Sequence, residues 1–160
     1  MKPQVEILVE KYRNNLYAAA FNVCKNAQDA EDAVQDTFFQ YLSQKKEFES
    51  EQHIRAWLIR VAINQAKNKS SAFFRRNSLP LEDYIETLTF ESEESSELFE
   101  AVMNLPEKYR IVIHLFYYEE YSVKEIADIL KVTQSNVKVR LSRGRLSLRN
   151  TLKEVWEDDE

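Results

Sequence analysis

The chain has 160 residues, with 22 basic and 27 acidic side chains, a formal net charge of −5, one Gly and three Pro. This length allows one domain or two small ones, and the scarcity of Gly and Pro excludes an architecture of short strands and tight turns. A single cysteine, Cys24, excludes a disulfide or a cysteine-rich zinc site, and no segment has the apolar length of a membrane span or an export signal, which predicts a cytoplasmic protein.

The first two predicted helices lie at the start of the chain. Apolar residues recur three and four apart from Val5 to Val23, which predicts a helix that ends near Lys25. Asn26 is a suitable N-cap for a second helix. The inward face of that second helix is predicted to extend as far as Leu42.

Basic and acidic residues are segregated along the chain from the third predicted helix onward. A polar loop at residues 43–52 precedes a helix that begins near His53, and residues 53–76 contain six bases and no acid. Residues 82–100, in contrast, contain eight acids and no base. Because a second basic segment follows, the pattern predicts two helical modules on one polyanion, joined by an acidic linker at residues 77–95.

The last third of the chain has the pattern of a helix-turn-helix. Ser122 and Glu125 have the spacing of a capping box at the start of one helix. Residues 131–133 form the predicted turn, with Thr133 as the N-cap of the next helix. Val137 is four residues before Leu141, so both are expected to face inward.

The predicted turn and the second helix belong to a run of 23 residues, 131–153, with seven bases and no acid. Such a local field attracts phosphate although the whole chain is acidic, which favours DNA binding in the major groove. A solvated basic helix in an ordinary bundle would have the same pattern, so the sequence leaves this alternative open. The residues expected on the outer and flanking faces are Ser135, Asn136, Lys138, Val139, Arg140, Ser142 and Arg143.

The second helix carries a row of acids that packing does not explain. Asp29, Asp32 and Asp36 lie on one helical face, where like charges repel each other. A solvated face, a bound cation and a basic partner protein are the three possible explanations. A metal is disfavoured because no His or Glu faces the row from a matching helix, and we expect neither metal nor cofactor.

In three places the chain resembles the extracytoplasmic-function sigma factors of bacterial RNA polymerase, in the family's order. Residues 29–38, DAEDAVQDTF, are similar to the polymerase-binding helix, and residues 55–64, RAWLIRVAIN, to the promoter-melting helix. Residues 105–110, LPEKYR, together with the helix-turn-helix at 122–145, resemble region 4. The resemblance implies an all-α fold of two small helical domains: region 2 at 1–76, a flexible linker at 77–95 and region 4 at 96–160.

The resemblance also implies partners. The acidic helix would dock on a basic coiled coil of the polymerase β′ subunit, region 4 would contact the β flap, and both regions would contact promoter DNA. Many members of the family are silenced by an anti-sigma factor, so one is expected here. The implied polymerase-binding residues are Asp29, Asp32, Gln35, Asp36 and Phe39.

For promoter DNA, the resemblance implies two sets of contacts. Arg60, Asn64, Lys67 and Asn68 would contact the unwound minus-10 strand, and the loop at residues 45–53 would hold a flipped base. Lys69, Arg75 and Arg76 would contact phosphates. For Trp57 the sequence leaves two roles open, a core residue or a platform on which a base stacks. In the helix-turn-helix, the seven outer residues of the second helix would read the minus-35 element.

Two residues depart from the family pattern. Lys131 stands at a turn position where Gly is usual, and Gly144 stands in the recognition helix where Ala is usual. Two other classes of protein also stay open: a stand-alone helix-turn-helix regulator, and an adaptor that binds polymerase without reading promoters. An enzyme is not expected, because there are two His, one Cys, no Gly-rich loop and no nucleophile paired with a base.

Overall fold

The computed structural model describes residues 1–69 and 92–158, with side chains as far as Glu154. Every regular element in these ranges is a helix, and the chain divides into two compact units, Met1–Ser78 and Leu79–Glu160. The prediction of an all-α fold with two small helical domains is confirmed. The expected phosphate contacts Arg75 and Arg76 and most of the expected linker, residues 77–91, lie outside the described residues. The domain limits at 76 and 95 therefore stay predictions.

The first unit is a three-helix bundle of α1 (Val5–Cys24), α2 (Ala27–Ser43) and α3 (Glu51–Lys69), in which each helix packs on the other two. Its core is formed by apolar side chains from all three helices, which include Leu8, Leu16, Tyr41, Ile54 and Leu58, and Cys24 is also buried. Burial of a side chain of this size contributes about 1.5–3 kcal/mol to folding.

The junction between α1 and α2 follows the predicted cap chemistry. Lys25 adopts a left-handed conformation, with φ 56° and ψ 30°, and its N–H donates to the Phe21 carbonyl. The Asn26 side chain then accepts a hydrogen bond of 2.8 Å from the Asp29 amide at the start of α2. At the other end of α2 the prediction for Leu42 is wrong, because this side chain is 55% exposed.

The second unit contains α4 (Glu93–Met103), α5 (Glu107–Ile113), α6 (Val123–Leu130) and α7 (Gln134–Asp158). A π-helical segment, His114–Tyr118, continues directly from α5, a feature that the apolar periodicity did not predict. The first turn of α5 is braced by the buried Arg110, whose Nη1 donates to the Leu105 carbonyl at 2.7 Å. Arg110, the last residue of the LPEKYR sequence, therefore stabilises the fold.

The helix-turn-helix is formed by α6 and α7 as predicted. The Ser122 N–H donates to Glu125 Oε1 at 3.0 Å, and the Glu125 N–H donates to Ser122 Oγ at 3.1 Å, which completes the capping box. Lys131 ends α6 with φ 59° and ψ 45°, and Thr133 Oγ1 accepts from the Asn136 amide at 3.1 Å. Val137 and Leu141 are buried and fix the outward face of α7.

In the two described ranges, no helix has both the length and the apolar character needed to cross a membrane.

Candidate functional site

The predicted polymerase-binding residues share one face of α2. Asp32, Gln35 and Phe39 are exposed, and Asp29 and Asp36 are half-exposed. Phe39 is the most informative of these, since it is a large apolar side chain that is 60% exposed and lies on the same helix face as the three aspartates. The face therefore combines negative charge with an apolar anchor, a composition typical of a protein-binding surface.

This face continues onto α1 across an open groove of about 750 Å³. Val9, Arg13 and Tyr17 line the α1 side of the groove, and Asp32, Gln35 and Phe39 are among the residues that line the α2 side. Neither Arg13 nor Tyr17 is among the site residues predicted from the sequence. Val9, Arg13 and Tyr17 follow one another at intervals of four residues, which places them in one row on α1, and this spacing was the available signal.

The electrostatics of the acidic face include a cation from within the chain. Lys69 Nζ, in the last turn of α3, is 2.8 Å from Asp36 Oδ2. The pKa of Asp29 is raised, mainly by burial and also by the charge of Asp32, while Lys69 opposes the shift. Mutual repulsion of the acids is therefore partly relieved inside the protein before any partner binds.

The predicted minus-10 residues fall on one side of α3. Asn64, Lys67 and Asn68 are exposed and Arg60 is half-exposed. Their three- and four-residue spacing directs them to a common face, and Trp57 belongs to the same helical row. Trp57 is half-buried, with its ring 6.3 Å from that of Tyr41 and 5.6 Å from that of Phe48. Its contacts are those of a packed aromatic residue that remains partly exposed.

The loop between α2 and α3 is held from both sides. Phe48 at its centre is 4% exposed and packs on the rings of Tyr41, His53 and Trp57. Its amide donates to the Met1 carbonyl at 3.1 Å. In addition, Lys2 Nζ donates to the carbonyl of Gln44 at 2.6 Å.

These bonds tie the loop to the start of the chain, and the Tyr41 hydroxyl extends the tie by donating to the Pro3 carbonyl. The three glutamates near the loop, Glu47, Glu49 and Glu51, are exposed. Glu51 accepts hydrogen bonds from Lys11 and from the Tyr12 hydroxyl, which orients it toward α1. The loop is therefore a packed element with an acidic rim.

The seven predicted minus-35 residues lie along the first three turns of α7. Arg140 is half-exposed and the other six are exposed, including Val139 at 47%. Five of them border a shallow groove of about 360 Å³ that is completed by Lys108, Tyr109 and Thr133; the five are Ser135, Asn136, Val139, Arg140 and Arg143. The structure thus places polar, apolar and basic groups on one accessible helix face.

Tyr109 of α5 also belongs to this surface, although it is not among the site residues predicted from the sequence. The Arg143 side chain hydrogen-bonds the Tyr109 phenol, and this bond lowers the pKa of the phenol below its ordinary value. The charge of the nearby Lys108 acts in the same direction. Arg143 is therefore oriented by a residue of another helix.

One base of the predicted cationic run has a different environment. Arg145 Nε donates to the Tyr117 hydroxyl at 2.5 Å, and its guanidinium lies 5.4 Å from the ring centres of Phe116 and Tyr117. These contacts fasten α7 to the π-helical segment. Arg145 therefore contributes to the fold, whereas Lys138, Arg140 and Arg143 lie on the accessible face.

The described residues contain no group of three or more His, Cys, Asp or Glu that could hold a metal ion.

Comparison with known proteins assigns both units. Residues 8–85 match the family model for sigma-70 region 2, and residues 95–148 match the model for sigma-70 region 4. The chain belongs to the sigma-70 family. Its relatives place it among the extracytoplasmic-function sigma factors, a non-catalytic class of transcription initiation factors.

Two relatives illustrate the similarity of the sigma factor over most of its length. The extracytoplasmic-function sigma factor SigW of Bacillus subtilis is 27% identical, over 92% of this chain and 88% of the relative. The extracytoplasmic-function sigma-E factor of Haemophilus influenzae is 28% identical, over 94% of this chain and 88% of the relative. Among solved structures, the sigma factor RpoE in complex with the anti-sigma factor NepR from Bartonella quintana has a TM-score of 0.73. It is 22% identical and is matched over 92% of this chain and 96% of its own, which supports the fold.

Proposed function

We propose that this sigma factor binds core RNA polymerase through the acidic face of α2, directs the enzyme to specific promoters and assists their melting. Asp29, Asp32, Gln35 and Asp36 supply the polar contacts to a basic coiled coil of the β′ subunit, and Phe39 supplies the apolar anchor. The exposed Phe39 on the same helix face as three aspartates is the observation that supports this assignment most strongly. The groove residues Arg13 and Tyr17 extend the same surface.

The exposed side of α3 engages the melted minus-10 element. Asn64 and Asn68 have amide groups suited to exposed base edges, whereas Arg60 and Lys67 offer charge to phosphates. Unpairing a base costs a few kcal/mol, which contacts to the released strand must recover. The partly exposed Trp57 lies in the same helical row and packs on Phe48 of the loop at residues 45–53, so both complete the strand-binding region.

The outer face of α7 reads the minus-35 element in the major groove. Ser135 and Asn136 stand at the N-terminal end of the helix, and Lys138, Arg140 and Arg143 stand in the next two turns. Val139 offers an apolar contact for a thymine methyl group, and Ser142 offers a hydroxyl group. Because Tyr109 orients Arg143, this arginine enters the groove with less conformational freedom to lose.

The same proposal covers the remaining properties of the protein. The sigma factor works in the cytoplasm, has no catalysis of its own and needs no cofactor or metal. Its partners are the β′ coiled coil and β flap of core polymerase, promoter DNA, and an anti-sigma factor that masks the DNA-binding faces. The anti-sigma partner is supported by the likeness to a sigma factor solved with such a protein.

Footprinting of the sigma factor–polymerase complex on a set of promoter fragments tests these assignments. An Arg140→Ala or Arg143→Ala substitution should remove upstream protection, and an Asn64→Ala substitution should reduce the reactivity of melted thymines without changing upstream protection. A base-reading arginine discriminates by about 1–3 kcal/mol between promoter variants, whereas a phosphate contact weakens all of them and lowers the salt slope by about 1. Unchanged upstream protection in both arginine variants would contradict the assignment of α7.

A further inference from the structure

The ion pair between Asp36 and Lys69 joins two surfaces that the proposed function assigns to different partners. Asp36 belongs to the acidic face of α2, and Lys69 follows Lys67 and Asn68 at the end of α3. Lys69 Nζ is 2.8 Å from Asp36 Oδ2. A cation next to the proposed DNA-binding side thus offsets part of the negative charge of the proposed polymerase-binding face.

The register of α3 explains why Lys69 makes this contact and Lys67 does not. Gln65 and Lys69 are four residues apart and share a helix side. That side faces α2, because Gln65 Nε2 donates to Gln40 Oε1 at 3.3 Å. Lys67 projects from the exposed side of the helix. Lys69 therefore stands at the border between the α2 contact and the exposed strand-binding side.

The charges of the cluster indicate what a cationic partner would change. Lys69 offsets the repulsion among the carboxylates and opposes the raised pKa of Asp29. A basic helix that docks on the same face supplies this positive charge itself and repels Lys69. The Asp36 and Lys69 side chains are 41% and 24% exposed, so the pair is screened by water and opens at small cost.

We propose that Lys69 serves two surfaces in turn. In the free sigma factor it pairs with Asp36 and offsets part of the charge of the acidic face. When a basic helix of core polymerase binds that face, the Lys69 side chain is released and binds a promoter phosphate. The inference rests on the proposed function of the two surfaces. It makes polymerase binding and DNA binding mutually reinforcing, and thermodynamic linkage requires the coupling to be reciprocal. An exposed ion pair corresponds to a coupling factor of about two to five at low ionic strength.

A Lys69→Gln substitution tests the proposal through the sign of its effect. At low ionic strength, the variant should bind core polymerase about two to five times more tightly, because the acidic face has lost its internal competitor. The same variant, assembled with core polymerase, should bind a short single-stranded DNA of mixed sequence more weakly by a similar factor. A structural lysine would have the opposite effect on polymerase binding, so unchanged or weaker polymerase binding overturns the proposal.

Lys67→Gln is the matched control. Lys67 lies two residues before Lys69, on the exposed side of α3, and the substitution removes the same charge. It should weaken DNA binding, and any tightening of polymerase binding that it causes measures the general effect of net charge. The proposal requires that Lys69→Gln tighten polymerase binding by a larger factor than Lys67→Gln does. If both variants tighten polymerase binding equally, the specific role of Lys69 is refuted.

Two further variants separate the inference from the function on which it rests. Asp36→Asn should release Lys69 and increase the affinity of the free sigma factor for the mixed-sequence DNA, and adding Lys69→Gln should abolish that gain. Asp32→Arg tests the acidic face itself. If it leaves polymerase binding intact, the proposed face and the inference both fail. If it abolishes binding while Lys69→Gln produces no tightening, the face stands and the shared role of Lys69 fails.

Discussion

Gly144 of α7 lies directly against Ile113 of α5. A Cβ atom at position 144 would stand 3.1 Å from Ile113 Cγ1 and 3.3 Å from Ile113 Cδ1, closer than ordinary van der Waals contact. From the sequence, this glycine is expected only to weaken the recognition helix, by up to about 1 kcal/mol relative to alanine. The structure shows a packing reason for it, since the missing side chain lets α7 approach α5 closely.

We expect Gly144→Ala to lower the free energy of unfolding by about 1 kcal/mol, because overpacking of about 1–3 kcal/mol outweighs the gain in helix propensity. Ile113 is only 6% exposed and has little room to move. Chemical denaturation of the variant measures the change. In an Ile113→Val background, which removes Cδ1, the same substitution should be less harmful. A stabilisation of about 1 kcal/mol in the wild-type background would contradict this account.

Lys131 should carry a conformational cost that glycine would remove. Its φ of 59° belongs to the left-handed region, where a side chain is unfavourable by about 1 kcal/mol. We therefore expect Lys131→Gly to raise the thermal midpoint of the second unit. Lys131→Ala is the control, since it removes the same charge and keeps a Cβ atom in the strained conformation. Equal midpoints for the two variants would assign the effect to charge instead of backbone conformation.

Reversing one charge on the acidic face should abolish polymerase binding without unfolding the protein. In Asp32→Arg, an exposed carboxylate becomes a cation that repels the basic coiled coil. Co-purification with core polymerase measures the loss, and a normal thermal transition verifies the fold. Glu100→Arg makes the same charge change on an exposed residue of α4 in the second unit and should bind normally. Loss of binding in both variants would indicate a net-charge effect.

Promoter binding through α7 should have an alkaline limit set by Tyr109. Because Arg143 lowers the pKa of the phenol, Tyr109 should ionise below the ordinary tyrosine value of about 10. The resulting phenolate adds negative charge to a DNA-binding face and should weaken promoter binding as the pH rises through this lowered pKa. The lowered pKa of Tyr109 affects folding in the opposite direction, because it stabilises the folded protein at alkaline pH. This contribution is fully present above the pKa of the unfolded chain and is lost as the pH falls through the pKa of the folded protein.

Ultraviolet titration of phenolate absorbance measures this ionisation. Tyr109→Phe should remove one phenol that ionises below the ordinary tyrosine range and extend promoter binding to higher pH. Arg143→Gln should return the titration of Tyr109 toward the ordinary range. An unchanged titration curve in Tyr109→Phe would refute the assignment.

The sequence predicted those parts of the structure that depend on neighbours along the chain. The capping box of Ser122 and Glu125 and the caps at Asn26 and Thr133 involve residues three apart, so their spacing reveals the contact directly. Burial of Val137 and Leu141 likewise follows from a four-residue repeat. These local patterns were sufficient for the helix-turn-helix and for the outward face of α7.

Contacts between distant residues could not be predicted in this way. Lys69 and Asp36 belong to different helices, and so do Arg143 and Tyr109, so only the packing angle of the helices brings each pair together. The π-helical segment adds a residue to a turn without altering the apolar pattern around it. Leu42 was misplaced because it extends the apolar stripe of α2 beyond the part that α1 and α3 cover.

Run-off transcription with purified components tests the central claim most directly. Core RNA polymerase should produce no specific transcript alone, and addition of the sigma factor should produce a transcript that begins at one position downstream of a matching promoter. The Asp32→Arg variant should give none, since it cannot join the enzyme. The account would be contradicted if the wild-type protein bound promoter DNA tightly without polymerase and directed no specific initiation, because that behaviour belongs to a stand-alone helix-turn-helix regulator.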